Sequence, residues 1–372
     1  MKYYIISGEA SGDLHGSNLV KEIKKLDAEA DFRGWGGELL SDQGVDVVKH
    51  YRDLAFMGFY EVLVNIKTIL KNFKFCKSDI MEYNPDAVIL VDYPGFNLRM
   101  AEFAHKKGFK VFYYIAPQAW AWKKSRVHKI KKCVDKLFTL LPFEESFFRK
   151  YGIDAKYVGH PILDHLKISY SDKEKEKFFT DNNLEQHPVI ALLPGSRKQE
   201  INTMLPIMLQ MLPMYKDYQF VIGGAPAQEL EIYQKHIKQA NVKVLFNQGQ
   251  QLMKYADAAL ITSGTATLEA ALLRLPQVIC YKGNKISIAI AKKIVNIKYI
   301  GLANLIMDRP VIKELIQDDM TLENMHRELD LLLYDKQRRE KLFKDYKELK
   351  YLLGGKGASV VTAEGIVGFL KS

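Results

Sequence analysis

Cysteine is scarce: three residues in 372, Cys76, Cys133 and Cys280, far apart and each in an apolar context. That scarcity excludes a disulfide framework and a cysteine-built metal site, and it points to buried, reduced thiols in a reducing compartment. Long apolar runs are missing too, since none approaches the roughly 18–20 residues that a membrane span requires. Met1-Lys-Tyr-Tyr-Ile-Ile6 already reads as a strand and no cleavage pattern follows it. No secretory signal is therefore expected, and the chain should stay in the cytosol, free to lie on a membrane. His15, His128, His160 and the other six histidines form no H-x-x-x-H or H-E-x-x-H pattern, so no zinc site is expected. A Walker loop, a G-x-S-x-G elbow and a G-x-G-x-x-G fingerprint are all lacking, which argues against ATPase, serine-hydrolase and dinucleotide-binding readings. There is no internal repeat and no low-complexity tract.

What is present is an ordinary globular composition, 48% hydrophobic and 26% charged, which excludes disorder. A chain of 372 residues is too long for one core, so two domains of roughly 150–200 residues are expected. The formal charge of +10 favours anionic partners: nucleic acid, anionic lipid or phosphorylated substrates. No arginine-rich tail or aromatic-spaced basic stripe appears, so nucleic acid is not expected as a partner.

Short apolar runs alternate with amphipathic stretches. Strands are predicted at Tyr3–Ser7, Phe32–Trp35, Ala87–Val91, Val111–Ile115, Lys136–Leu140 and Lys156–Val158, with helices at Asp13–Leu26 and Asn97–Lys107 among them. The charged segment Asp164–His187 reads as a linker. A second alternation follows, with strands at Val189–Leu193, Gln219–Gly223, Lys243–Phe246, Ala258–Thr262 and Gln277–Tyr281. The pattern implies two Rossmann-like doubly wound α/β domains facing one another across a cleft, residues 1–165 and 166–320. Residues 321–372 read as a charged helical segment that packs back on the first domain or serves an oligomer.

Two glycine turns in the second half stand out. Ile261-Thr-Ser-Gly-Thr-Ala-Thr-Leu-Glu269 runs from a buried strand through a turn into a helix opening at Ala266 or Thr267. Its backbone N–H groups, the hydroxyls of Ser263 and Thr265 and the helix dipole converge on one spot suited to a phosphate. Leu192-Leu-Pro-Gly-Ser-Arg197 repeats the strand-to-glycine turn with a guanidinium attached. In the first half, Ser7-Gly-Glu-Ala-Ser-Gly-Asp13 lies where a phosphate loop would. Gly8 and Gly12 allow close approach there, Ser11 or Asp13 can cap the helix, and Glu9 reaches the cleft. Asp92, in Val91-Asp-Tyr-Pro-Gly-Phe-Asn97, ends a strand buried on both faces. Partial desolvation would raise its pKa and suit a general base; the alternative is a helix cap, a job for which Asn97 is better placed.

Two further segments carry aromatic side chains. Ala116-Pro-Gln-Ala-Trp-Ala-Trp122 puts Gln118, Trp120 and Trp122 at the same sheet edge, one indole for the core and the other for a sugar or acyl chain, with Lys123, Lys124 and Arg126 beyond. Between Phe56 and Leu70, apolar residues including Phe59, Tyr60, Val62, Leu63 and Ile66 cover more than one helix face. Such a helix is either deeply buried or lies on lipid, with Lys67, Lys71 and Lys74 reaching for headgroups.

Taken in order, Ser7–Asp13, Val91–Asn97, Pro117–Trp122, Phe143-Glu144, Gly159-His-Pro161, Leu193–Arg197 and Ser263–Glu269 closely resemble the bacterial lipid-A-disaccharide synthase family, glycosyltransferases of GT-B architecture. The resemblance covers about residues 3 to 320. It implies transfer from UDP-2,3-diacylglucosamine to 2,3-diacylglucosamine 1-phosphate, giving a β(1→6) disaccharide 1-phosphate and UDP at the cytosolic face of the inner membrane. It favours lipid contact for the segment from 56 to 70. It further implies an in-line, inverting displacement with Asp92 as base and no metal or other cofactor. The diphosphate would be held by Arg197, Ser263, Gly264 and Thr265, the ribose by Glu269, with Asn304 near the donor and Gln118 and Trp120 on the acceptor side. Two rivals remain at this stage: a UDP-N-acetylglucosamine epimerase of the same fold, and a binding module without turnover. A homo-oligomer is compatible with all three.

Overall fold

Runs of β-branched and aromatic residues too short for helices pair side by side into two separate parallel sheets. In a computed structural model, which describes residues 1–54, 66–121, 125–166, 169–238, 240–283, 298–355 and 357–372, these sheets organise two units. The first unit comprises Met1–Asp164 with Leu353–Ser372, the second His165–Leu352.

The first sheet contains β1 (Lys2–Ser7), β2 (Asp31–Gly36), β3 (Asp46–His50), β4 (Ala87–Val91), β5 (Lys110–Tyr114), β6 (Lys136–Thr139) and β7 (Ala155–Tyr157). Their order is β3-β2-β1-β4-β5-β6-β7, all parallel. Side chains alternate faces, so Tyr4, Ile6, Val88, Leu90 and Tyr113 enter one core layer and Tyr3, Ile5, Ile89, Phe112 and Tyr114 the other. Both faces are therefore covered, as parallel sheets require.

The chain end supplies part of that cover. Helix Ala358–Lys371 buries Ala363, Ile366 and Val367 in the layer of Tyr3, Ile5 and Phe112. Gly365 permits this approach, because a Cβ there would meet the Phe138 ring at 2.6 Å. Each such buried Ile or Val contributes about 1.5–3 kcal/mol, so this helix is integral to the first unit.

The second sheet contains β8 (Val189–Leu193), β9 (Gln219–Gly224), β10 (Lys243–Phe246), β11 (Ala258–Thr262), β12 (Gln277–Tyr281) and β13 (Glu314–Ile316), ordered β10-β9-β8-β11-β12-β13. Helices Leu322–Tyr334 and Lys336–Leu352 belong to this unit, so the tail expected as one block over 321–372 is divided between the two units. The expected linker also has another character. Within it, helix Asp172–Asp181 sends Phe178 and Phe179 into the second core, beside Val189 and Leu245. Edge strands β3 and β13 escaped the sequence reading, because short, half-buried strands leave no continuous apolar run.

Candidate active site

In each sheet the strand order reverses between two neighbours, β1 and β4 in the first and β8 and β11 in the second. Ligands of open α/β sheets bind beyond the carboxyl ends of such a pair. The three glycine turns and the Asp92 turn read from the sequence leave these four strands, one from each.

On the first sheet, helix Ala10–Leu26 starts directly after Glu9, earlier than expected, with no side-chain cap. Glu9 and Ser11 are exposed, while Gly8 and Gly12 are buried. Gly8 is required sterically: a Cβ on it would lie 2.3 Å from the Tyr93 ring. Asp13 does not cap its own helix. Its carboxylate accepts from the N–H groups of Gly37 (2.7 Å), Leu39 (3.1 Å) and Leu40 (3.3 Å), closing the start of helix Glu38–Asp42.

Asp92 follows β4 with φ 46° and Tyr93 with φ 49°, two successive left-handed residues that are not glycine. Such positions cost on the order of 1–3 kcal/mol each and gather at functional sites. Asn97, expected as a helix cap, is not one, because helix Pro94–Lys106 begins at Pro94. Its amide turns back instead, donating from Nδ2 to the main-chain oxygens of Asp92 (2.7 Å), Val91 (3.2 Å) and Ile6 (3.4 Å). The Tyr113 hydroxyl donates to the same Asp92 oxygen at 2.7 Å. Burial, then the charge of Glu9, push the Asp92 carboxyl up to about 6 against the opposing hydrogen bond from the Tyr93 N–H. A carboxylate poised there holds its proton more tightly than an ordinary one and is a better base.

The neighbouring edge is pinned by a residue the sequence reading passed over as a mere motif member. Glu144 is buried and its carboxyl is pushed up to about 7 by burial. It accepts from the indole N–H of half-buried Trp120 at 2.9 Å and from the N–H groups of Leu140 and Leu141 at 3.2 and 3.0 Å. Trp120 packs edge-on against Phe143, so its polar end is engaged and its ring fixed. Gln118 is exposed on the same loop. Trp122, Lys123 and Lys124 lie outside the described residues, as do Phe59, Tyr60, Val62 and Leu63. Ile66 is described: it opens helix Ile66–Tyr83 and is exposed, as is Leu70 one turn on, on the face that carries Lys67, Lys71 and Lys74.

On the second sheet the two glycine turns differ. Gly264 ends the turn after β11 and helix Thr265–Leu272 starts with no side-chain cap, one residue before the expected start. Gly264 and Thr265 are exposed, and Ser263 donates to the Ile300 carbonyl at 3.1 Å, leaving its lone pairs available. This is an open, electropositive helix end. The turn after β8 is closed. Glu200 folds back so that its Oε2 accepts from the N–H groups of Ser196 (3.1 Å) and Arg197 (3.2 Å). Gly195, at φ 111°, makes room for that carboxylate, since a Cβ would meet it at 2.6 Å. The expected backbone cradle at this turn is thus occupied by an internal anion, while the Arg197 guanidinium remains largely exposed, 3.8 Å from Glu200.

Glu269, half-buried one turn into the open helix, borders a cavity of about 720 Å³ together with Gly224, Gln248, Gly249 and Gln250. Burial raises its carboxyl and Gln250 opposes the shift. Asn304 is a correction. It is fully buried, donates to Ile312 O and to Glu314 at 2.8 Å each, and accepts from the N–H groups of Val311 (2.9 Å) and Ile312 (2.8 Å). All four of its hydrogen-bonding positions are filled from within, so it braces the loop before β13 and has nothing left for a ligand.

A family model described as lipid-A-disaccharide synthetase matches residues 3–362. The chain is 37% identical over 362 residues to the lipid-A-disaccharide synthase of Syntrophus aciditrophicus, covering 95% of this chain and 94% of that one. It is 36% identical over 369 residues to the one of Geobacter metallireducens, covering 98% and 95%. The chain belongs to the lipid-A-disaccharide synthase family. Lipid-A-disaccharide synthases are glycosyltransferases of lipid A biosynthesis, and this chain is an enzyme of that class. Among solved structures it resembles S. aureus MnaA with UDP (TM-score 0.67, 14% identity, 100% of this chain and 97% of that one). It also resembles a glycosyltransferase of kitacinnamycin (TM-score 0.62, 13% identity, 99% of each). At those identities the likeness concerns the fold, two parallel-sheet units of the GT-B class. Among the described residues of this lipid-A-disaccharide synthase family member, no helix is long and apolar enough to cross a membrane.

Proposed function

We propose that the chain transfers 2,3-diacylglucosamine from its UDP ester to the 6-hydroxyl of 2,3-diacylglucosamine 1-phosphate, forming a β(1→6) bond in one inverting step. Asp92 takes the proton from the acceptor hydroxyl as that oxygen attacks the anomeric carbon and the bond to the diphosphate breaks. The departing UDP is held by the open end of helix Thr265–Leu272, by Ser263 and by Arg197, and its ribose by Glu269. S. aureus MnaA, a neighbour in fold, is solved with UDP, which supports a UDP ligand for this chain by analogy of fold. The observation that carries the reading is the half-buried carboxylate of Asp92, pushed up to about 6 at the switch point of the first sheet.

Both substrates carry acyl chains, so the enzyme works at a membrane surface on the cytosolic side. Exposed Ile66 and Leu70, with Lys67, Lys71 and Lys74, support docking there through apolar contact and anionic headgroups. The test is a product assay with both substrates in detergent micelles. Disaccharide 1-phosphate and UDP in equal amounts are expected. Conversion of UDP-N-acetylglucosamine to an epimer, without disaccharide, would replace the transferase reading with an epimerase.

A further inference from the structure

We propose that Asn97 and Tyr113 are positioning residues, an amide and a hydroxyl that hold the main-chain oxygen of Asp92 and thereby aim its carboxylate. The proposal rests on the reading of Asp92 as the base. Asp92 and Tyr93 occupy left-handed backbone at φ 46° and 49°, a region that side chains other than glycine leave unless something holds them. Two elements supply the hold. Asn97 on helix Pro94–Lys106 and Tyr113 on β5 each donate to the Asp92 oxygen at 2.7 Å. Asn97 also reaches Val91 O and Ile6 O, tying the ends of β4 and β1 together at the switch point.

The cost of this arrangement is visible. Asn97 is fully buried, and its Oδ1 has no hydrogen-bond partner among the described residues. Reversing the amide would turn that oxygen onto three carbonyls, so its orientation is fixed. An apolar side chain of the same size would spare that unpaired oxygen but take a donor from all three carbonyls, which means the residue is there for its donors. Backbone geometry at residue 92 sets the direction of the Cα–Cβ bond. Releasing the carbonyl therefore lets the carboxylate swing toward water, where it is an ordinary, weaker base. The groups facing that carboxylate are Glu9 from the turn after β1, Tyr93 beside it and Tyr113, itself next to Arg126.

The test is steady-state kinetics of the full chain against pH, with both acylated substrates, for Tyr113→Phe and Asn97→Leu. Tyr113→Phe removes one oxygen and keeps the ring, so it preserves packing where Asn97→Leu does not. For Tyr113→Phe, kcat should fall about tenfold, less than the hundredfold that misplacing a reacting group can cost, with both KM values within about twofold. The acid limb of kcat should move down by about half a pH unit. Unchanged kcat, a loss confined to KM, or a fall with the limb unmoved would overturn the proposal. Turnover surviving in Asp92→Asn would instead remove the base reading, and the clamp's purpose with it.

Discussion

The two sheets share one topology and carry opposite chemistry. Each reverses its strand order between its first and fourth strands, and each sends its candidate site turns from that pair. On the first, the turns deliver carboxylates, Glu9 and Asp92, and burial makes one of them a tight proton holder. On the second, they deliver hydroxyls, a guanidinium and an uncapped helix end. The backbone plan thus fixes where a ligand is met, while a handful of turn residues decides whether the place accepts a proton or stabilises an anion.

That contrast can be broken from either side. Replacing Asp92 with Asn should cut turnover by at least about a hundredfold, the lower end for loss of a general base. The proposed base acts in its ionised form, so kcat of the unaltered enzyme should fall as pH drops through about 6, about tenfold per unit below it. A flat profile between pH 5 and 8 would remove this assignment. Arg197→Ala should weaken UDP about tenfold in a titration, the low end for a charged hydrogen bond because the side chain is largely exposed. Gly8→Ala drives a methyl group into the Tyr93 ring and should cost about 1–3 kcal/mol, read as a lower unfolding midpoint of the first unit. The smallest effect sharpens the contrast. Glu200→Gln removes the internal anion from the turn after β8 and should tighten UDP about twofold to fivefold, the range of a solvent-accessible charge pair. Weaker binding would mean that the carboxylate serves only to shape the turn.

Much of the fold and part of the candidate site are legible in the sequence. Asp92 announces itself because the apolar run Ala87–Val91 can only be a fully buried strand, and Pro94-Gly95 stops the chain from covering its end. The Ser263–Thr265 turn is equally plain, since a buried strand passing through glycine into a helix leaves few other geometries. Direction of side chains was not legible. Asn97 and Asn304 have the right type and spacing for a cap and a ligand contact, yet both turn inward to backbone carbonyls, which depends on tertiary neighbours. The direction of Glu200 at the turn after β8 was hidden for a related reason. Gly195 serves the fold-back of Glu200, and the spacing of a capping box overlaps that of a phosphate loop.

The division of labour between the two sheets is tested most directly by titrating UDP into the Asp92→Asn protein. A Kd within about twofold of the unaltered chain is expected, since the proposed nucleotide site lies on the second unit and the proposed base on the first. Binding weakened by tenfold or more would place the nucleotide on the first sheet and contradict the assignment.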